Sequence, residues 1–108
     1  MDNKNYHITL DSTAIFIDEF KFLTLFGDSR GVNPGEQVSV TVTHMVTGER
    51  ISFLASVDAS GYFALERVEL SALMDGNLLI QASSVVNGTR VFAAPLTYEM
   101  NADVSSLA

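Results

Sequence analysis

The sequence predicts an all-β fold, an antiparallel sandwich of about seven strands, and three observations carry that prediction. Val, Ile and Thr, the β-branched types that suit a pleated and half-buried surface, supply more than one residue in five of the 108. Turn signals recur at short intervals: Gly27-Asp28, Asn33-Pro34-Gly35, Thr47-Gly48, Asp58 to Gly61, Asp75-Gly76-Asn77 and Asn87-Gly88. The pieces between them are of strand length and several alternate with period two, whereas no helix of ordinary length is visible.

His7 to Leu10 and Ala14 to Ile17 make short N-terminal strands, and Phe20 to Phe26 follows. From Glu36 to Val46, Val38, Val40 and Val42 share one face and Ser39, Thr41 and Thr43 the other, as in a strand with one wet side. Thr47-Gly48 joins it to Ile51 to Val57, where Ile51, Phe53, Ala55 and Val57 repeat the alternation, so the two form a hairpin. Gly61 to Leu65 is a short strand with Phe63 and Leu65 inward and Tyr62 facing solvent. Leu70 to Leu73 allows at most one turn of helix. Leu78, Ile80 and Ala82 face one way in the next strand, and Asn87-Gly88 turns it into Thr89 to Tyr98, a strand that Pro95 confines to an edge or a bulge. Seven strands without a helix fit an immunoglobulin-like sandwich. One domain over 1–108 is expected, with a core of about 6–100 and flexible ends at 1–5 and 101–108.

Composition excludes several functions. With 47% hydrophobic and 18% charged residues the chain folds unaided. A net charge of −7, with the six Lys and Arg scattered singly, repels phosphate backbones and anionic lipid, so neither nucleic acid nor membrane insertion is expected and cations are the better partners. No Cys is present, which removes disulfides and thiolate chemistry without fixing a compartment. The first residues lack a signal peptide's apolar stretch, so an export signal, if the chain is secreted, is expected outside it.

Four stretches, in order, resemble the tandem bacterial immunoglobulin-like repeats of large secreted and surface adhesins of the biofilm-associated type. Ile8-Thr9-Leu10-Asp11-Ser12 is similar to the junction where one repeat hands over to the next. Gly31 to Val42 is similar to the family's Gly-Val-x-x-Gly-x-x-Val-x-Val-x-Val strand, and Val57-Asp58-Ala59-Ser60-Gly61-Tyr62-Phe63 to its Val-Asp-Ala-x-Gly-x-aromatic turn. Leu70 to Leu78 matches Leu-Ser-x-Leu-x-Asp-Gly-x-Leu, the most distinctive of the four. Their physical sense is architectural: Gly61 and Gly76 allow tight turns, Asp58 and Asp75 accept hydrogen bonds from the turns, and Leu70, Leu73 and Leu78 seal the core. The chain departs from the pattern at Phe16, Phe20, Phe22 and Phe26, where such repeats are more polar, and at Val85-Val86-Asn87-Gly88, which replaces a commonly acidic turn.

The resemblance implies Ca²⁺ bound by acidic residues at the domain poles, stiffening the link between successive repeats. Sandwich topology places Asp18, Glu19, Asp75 and Asp103 at the pole where the chain leaves and Asp11, Asp28 and Asp58 near the pole where it arrives. The same aspartates also suit ordinary turns that cap their own backbone. Enzyme signals are thin. His7 and His44 stand alone and read as surface or strand-end residues, and Glu66 with Glu69 reads as a solvated face, so no catalysis is expected. A sugar platform from Tyr6, Tyr62, Tyr98 or outward Phe residues is the competing idea. Phe20, Phe22 and Phe26, however, share a parity and are expected to fill the core. The sequence therefore points to a non-catalytic, monomeric spacer or presentation repeat of a bacterial adhesin, extracellular or at the cell surface, flanked by like repeats of the same chain. The alternative is a carbohydrate- or protein-binding sandwich.

Overall fold

A computed structural model describes residues 6–101 as strands joined by turns, with no helix among them. The strands are β1 (His7–Leu10), β2 (Phe16–Ile17), β3 (Phe22–Arg30), β4 (Gln37–His44), β5 (Arg50–Ser56), β6 (Tyr62–Glu69), β7 (Gly76–Val86), β8 (Thr89–Phe92) and β9 (Leu96–Met100). They form two antiparallel sheets. In the first, β6 runs along one edge of β3 from Asp28↔Tyr62 to Phe22↔Glu69, which leaves the other edge to β1 and β2. In the second, the order is β5-β4-β7, and β8 and β9 share the outer edge of β7.

Nine elements are therefore seven strand positions, as expected. β1 and β2 are one edge strand interrupted between Leu10↔Gly27 and Phe16↔Thr24, where five residues stand opposite two of β3. The Asp11 carboxylate closes that interruption by accepting from the Thr13 N–H at 2.9 Å and the Thr13 hydroxyl at 2.6 Å. β8 and β9 are likewise one strand broken at 93–95, around Pro95, the edge irregularity a proline demands. A third irregularity lies in β6, where two residues, Glu66 and Arg67, oppose Thr24, and Arg67 adopts φ 54. Broken edges of this kind discourage pairing with foreign strands.

The core follows the alternation read from the sequence. Val38, Val40 and Val42 of β4 are fully buried, Leu78, Ile80 and Ala82 of β7 lie beside them on the same inner face, and Phe63 and Leu65 of β6 are buried on the opposite sheet. Leu70 and Leu73 close the bottom, in turns rather than in helix. The parity of the Phe-rich segment corrects the sequence expectation. Leu23 and Leu25 are the fully buried residues of β3, so Phe22 and Phe26 lie on its outer face, Phe16 pairs with Thr24 on that same face, and Phe20 is exposed in the preceding turn. Gly27 continues the parity of Leu23 and Leu25, and the Phe63 ring fills the space a side chain at 27 would need, so this row closes on the inward aromatic of β6 and leaves the β3 phenylalanines on the other parity.

Candidate functional site

Strand direction defines two poles. β1 starts beside the end of β3, through His7↔Arg30, and β9 ends beside the start of β7, through Gly76↔Met100. The chain therefore comes in at the pole carrying the β3–β4, β5–β6 and β7–β8 connections and leaves at the opposite one.

At the C-terminal pole the turn before β3 is built on Asp18. One carboxylate oxygen accepts from the Phe20 N–H at 2.9 Å and the Phe22 N–H at 3.0 Å, and the other receives the Arg67 guanidinium at 3.1 Å. The Phe22 N–H is the largest cause holding this carboxyl below the ordinary aspartate range; desolvation opposes it, and Phe20 and Arg67 add to it. Lys21, with φ 66, reaches from the same turn to the neighbouring one. Its ammonium donates to the Leu73 carbonyl at 2.9 Å and lies 4.0 Å from the Asp75 carboxylate, while its carbonyl accepts the Leu70 N–H at 2.7 Å. Asp18 and Asp75 are thus at one pole, as expected, and each faces a cation of this chain. Glu19 is exposed on the rim of a shallow groove of about 290 Å³ that Asp18, Glu99 and Asn101 also line. Glu99 was not singled out from sequence, although its place next to inward-facing Met100 near the end of the last strand marks it as outward and polar. Asp103 lies outside the described residues.

His44 belongs to the same pole and is buried rather than at the surface. Its Nδ1 accepts from the Val46 N–H at 3.2 Å and the Thr47 N–H at 3.1 Å, so its Nε2 carries the proton and donates to the Asp75 carbonyl at 3.0 Å. This imidazole pins the β4–β5 hairpin to the turn before β7. It has no outward-facing nitrogen left for proton transfer.

At the N-terminal pole Asp58 caps its own turn, accepting from the Ser60 N–H at 2.8 Å and the Tyr62 N–H at 3.0 Å. Asp28 points outward from β3 opposite Tyr62, and Asp11 lies lower, its N–H bonded to the Phe26 carbonyl at mid-strand. The hydroxyl and N–H of Thr13, in that order, hold the Asp11 carboxyl below its ordinary range. Asp11 and Asp28 line one groove with Phe26 and Tyr62, and Asp58 lines the next. Among the described residues no group of three or more Asp, Glu or His side chains gathers closely enough to hold a metal ion.

The strand order and its poles define an immunoglobulin-like β-sandwich whose first and last strands begin and end at opposite poles. The chain is similar to a crystal structure of a tetra-tandem repeat in the extending region of a large adhesion protein, with a TM-score of 0.82 and 28% sequence identity over 94% of this chain. It spans 26% of that four-repeat chain, about one repeat, which supports reading it as a repeat domain of a large adhesin. No family model matches the sequence, and no curated protein matches it.

Proposed function

We propose that this domain is a non-catalytic repeat of a bacterial surface or secreted adhesin, acting outside the cell as a stiff spacer between like repeats that extends a distal binding region. The observation that carries the reading is the placement of the two ends at opposite poles on strands of different sheets. A pull along the chain draws β1 along β3 and β9 along β7. Inter-strand hydrogen bonds lie perpendicular to antiparallel strands, so this load shears the bonds of each pair together instead of opening them one by one. Likeness to an extending region supports the same role.

The proposal includes Ca²⁺ at the junctions. Asp18, Glu19 and Glu99 border one groove at the C-terminal pole, and Ca²⁺ prefers six to eight oxygen ligands, so a following repeat would have to complete the shell. The test is small-angle X-ray scattering on chains of one, two and four copies in millimolar Ca²⁺ and in EDTA. A maximum dimension that grows linearly with copy number supports a spacer, and a collapse of that growth in EDTA supports metal at the junctions. Compact four-copy particles under both conditions would reject the spacer reading.

A further inference from the structure

The outer face of the β1-β2-β3-β6 sheet carries exposed aromatic side chains. Phe26 is 42% exposed and Tyr62 58%, and both line two adjoining grooves of about 560 and 590 Å³. The acidic members of those linings are Asp11 and Asp28 on one side and Asp58 and Glu66 on the other, and among the described residues neither lining contains a Lys, Arg or His. Among the described residues the Asp28 carboxylate has no hydrogen bond or ion pair, and Arg30, two residues along the same face, forms no salt bridge.

The same face shows what such a combination holds. Four residues before Phe26 on β3, the Phe22 ring lies 4.5 Å below the Arg67 guanidinium carbon, and Arg67 reaches on to the Asp18 carboxylate at 3.1 Å. An aromatic face and a carboxylate thus grip one guanidinium within the chain, through the ring quadrupole and a charge-assisted hydrogen bond. Phe26 and Tyr62 with Asp28 repeat those ingredients with no cation paired to the carboxylate among the described residues. We propose that this groove docks an arginine-bearing extended segment of a partner protein, with a guanidinium stacked on Phe26 or Tyr62 and paired to Asp28. Charge complementarity selects this occupant over a second copy of the chain, whose own −7 charge and acidic groove would meet like charge. The site runs along the outer face of the sheet, from Asp58 at the N-terminal pole to Asp11 at mid-strand, and its test uses the single domain, so it is independent of the spacer role.

The experiment titrates the 108-residue chain with octa-arginine, octa-lysine and a neutral hexasaccharide at 50 and 300 mM NaCl, reading Kd by calorimetry. Octa-arginine should bind more tightly than octa-lysine, because only the planar guanidinium both stacks and pairs bidentately. Phe26→Ala and the near-isosteric Asp28→Asn should each weaken it roughly tenfold, while Glu49→Gln, exposed in the β4–β5 turn, should leave it within about twofold. Thermal unfolding of each variant establishes that it is folded. Equal losses in Glu49→Gln and Asp28→Asn would reduce the effect to diffuse charge and overturn the site. So would an unaltered Kd in folded Phe26→Ala, or binding of the hexasaccharide with none of octa-arginine.

Discussion

Phe63 faces Gly27 directly across the β3–β6 pair, and its ring occupies the space where a side chain on residue 27 would stand. A Cβ built there would also lie 2.7 Å from the Thr9 carbonyl of β1, so the glycine lets an edge strand and an inward aromatic close on one point of β3. Gly27→Ala should destabilise the domain by about 1 to 3 kcal/mol through overpacking, and Phe63→Ala by about 3 to 5 kcal/mol through the cavity it leaves. Urea unfolding midpoints with unchanged slopes would report both.

The buried imidazole of His44 satisfies three backbone groups across two turns. His44→Phe keeps the volume and leaves the Val46 and Thr47 N–H groups and the Asp75 carbonyl without it, each at about 1 to 3 kcal/mol where water cannot replace the bond. The expected result is a loss of at least about 2 kcal/mol in urea unfolding. A loss near zero would mean that water reaches this turn freely.

Asp18 links stability to pH with a definite sign. Its carboxyl titrates lower folded than unfolded, so its contribution is fully present above the ordinary aspartate range and disappears as pH falls through the lowered folded-state value. Asp18→Asn should therefore lower the thermal midpoint at pH 7, with the gap to the unaltered chain closing in strong acid. A gap that stays constant down to pH 2 would assign the loss to the turn's hydrogen bonds alone.

Outward Phe residues should be cheap to replace. Phe16→Ser and Phe20→Ser, 59% and 68% exposed, should cost within about 0.5 kcal/mol, against about 2 to 5 kcal/mol for Leu23→Ala in the fully buried row. A reversal of that order would restore the parity first expected from sequence.

That parity shows where the sequence ran out. β4 was legible because one face is all valine and the other Ser and Thr, and β5 and β7 because polar residues interrupt one face far more than the other, so period two favours a single choice. Phe22-Leu23-Thr24-Leu25-Phe26 is apolar on both faces apart from Thr24, and hydrophobicity alone cannot say which row turns inward. The asparagine and glycine of the β7–β8 turn, with φ 51 and 80, were readable for the opposite reason, since few residues accept that backbone. Asp18, Glu19, Asp58 and Asp75 lie at the poles that the strand order gives them, but Asp11 lies at mid-strand because β1 starts at His7 opposite Arg30, a register that carries Asp11 level with Phe26 and that no alternation pattern announces. The pairing of Asp18 with Arg67 was hidden as well. It depends on the β6 bulge that turns Arg67 toward the aromatic ring of Phe22.

Force spectroscopy on a four-copy tandem of this sequence, pulled through its two ends, tests the spacer reading most directly. Shear loading of β1 on β3 and β9 on β7 predicts four discrete unfolding events, each releasing on the order of 30 nm of chain at about 3.5 Å per residue. Extension of the tandem without discrete events, at forces too low to resolve, would contradict the claim that this fold is built to carry load end to end.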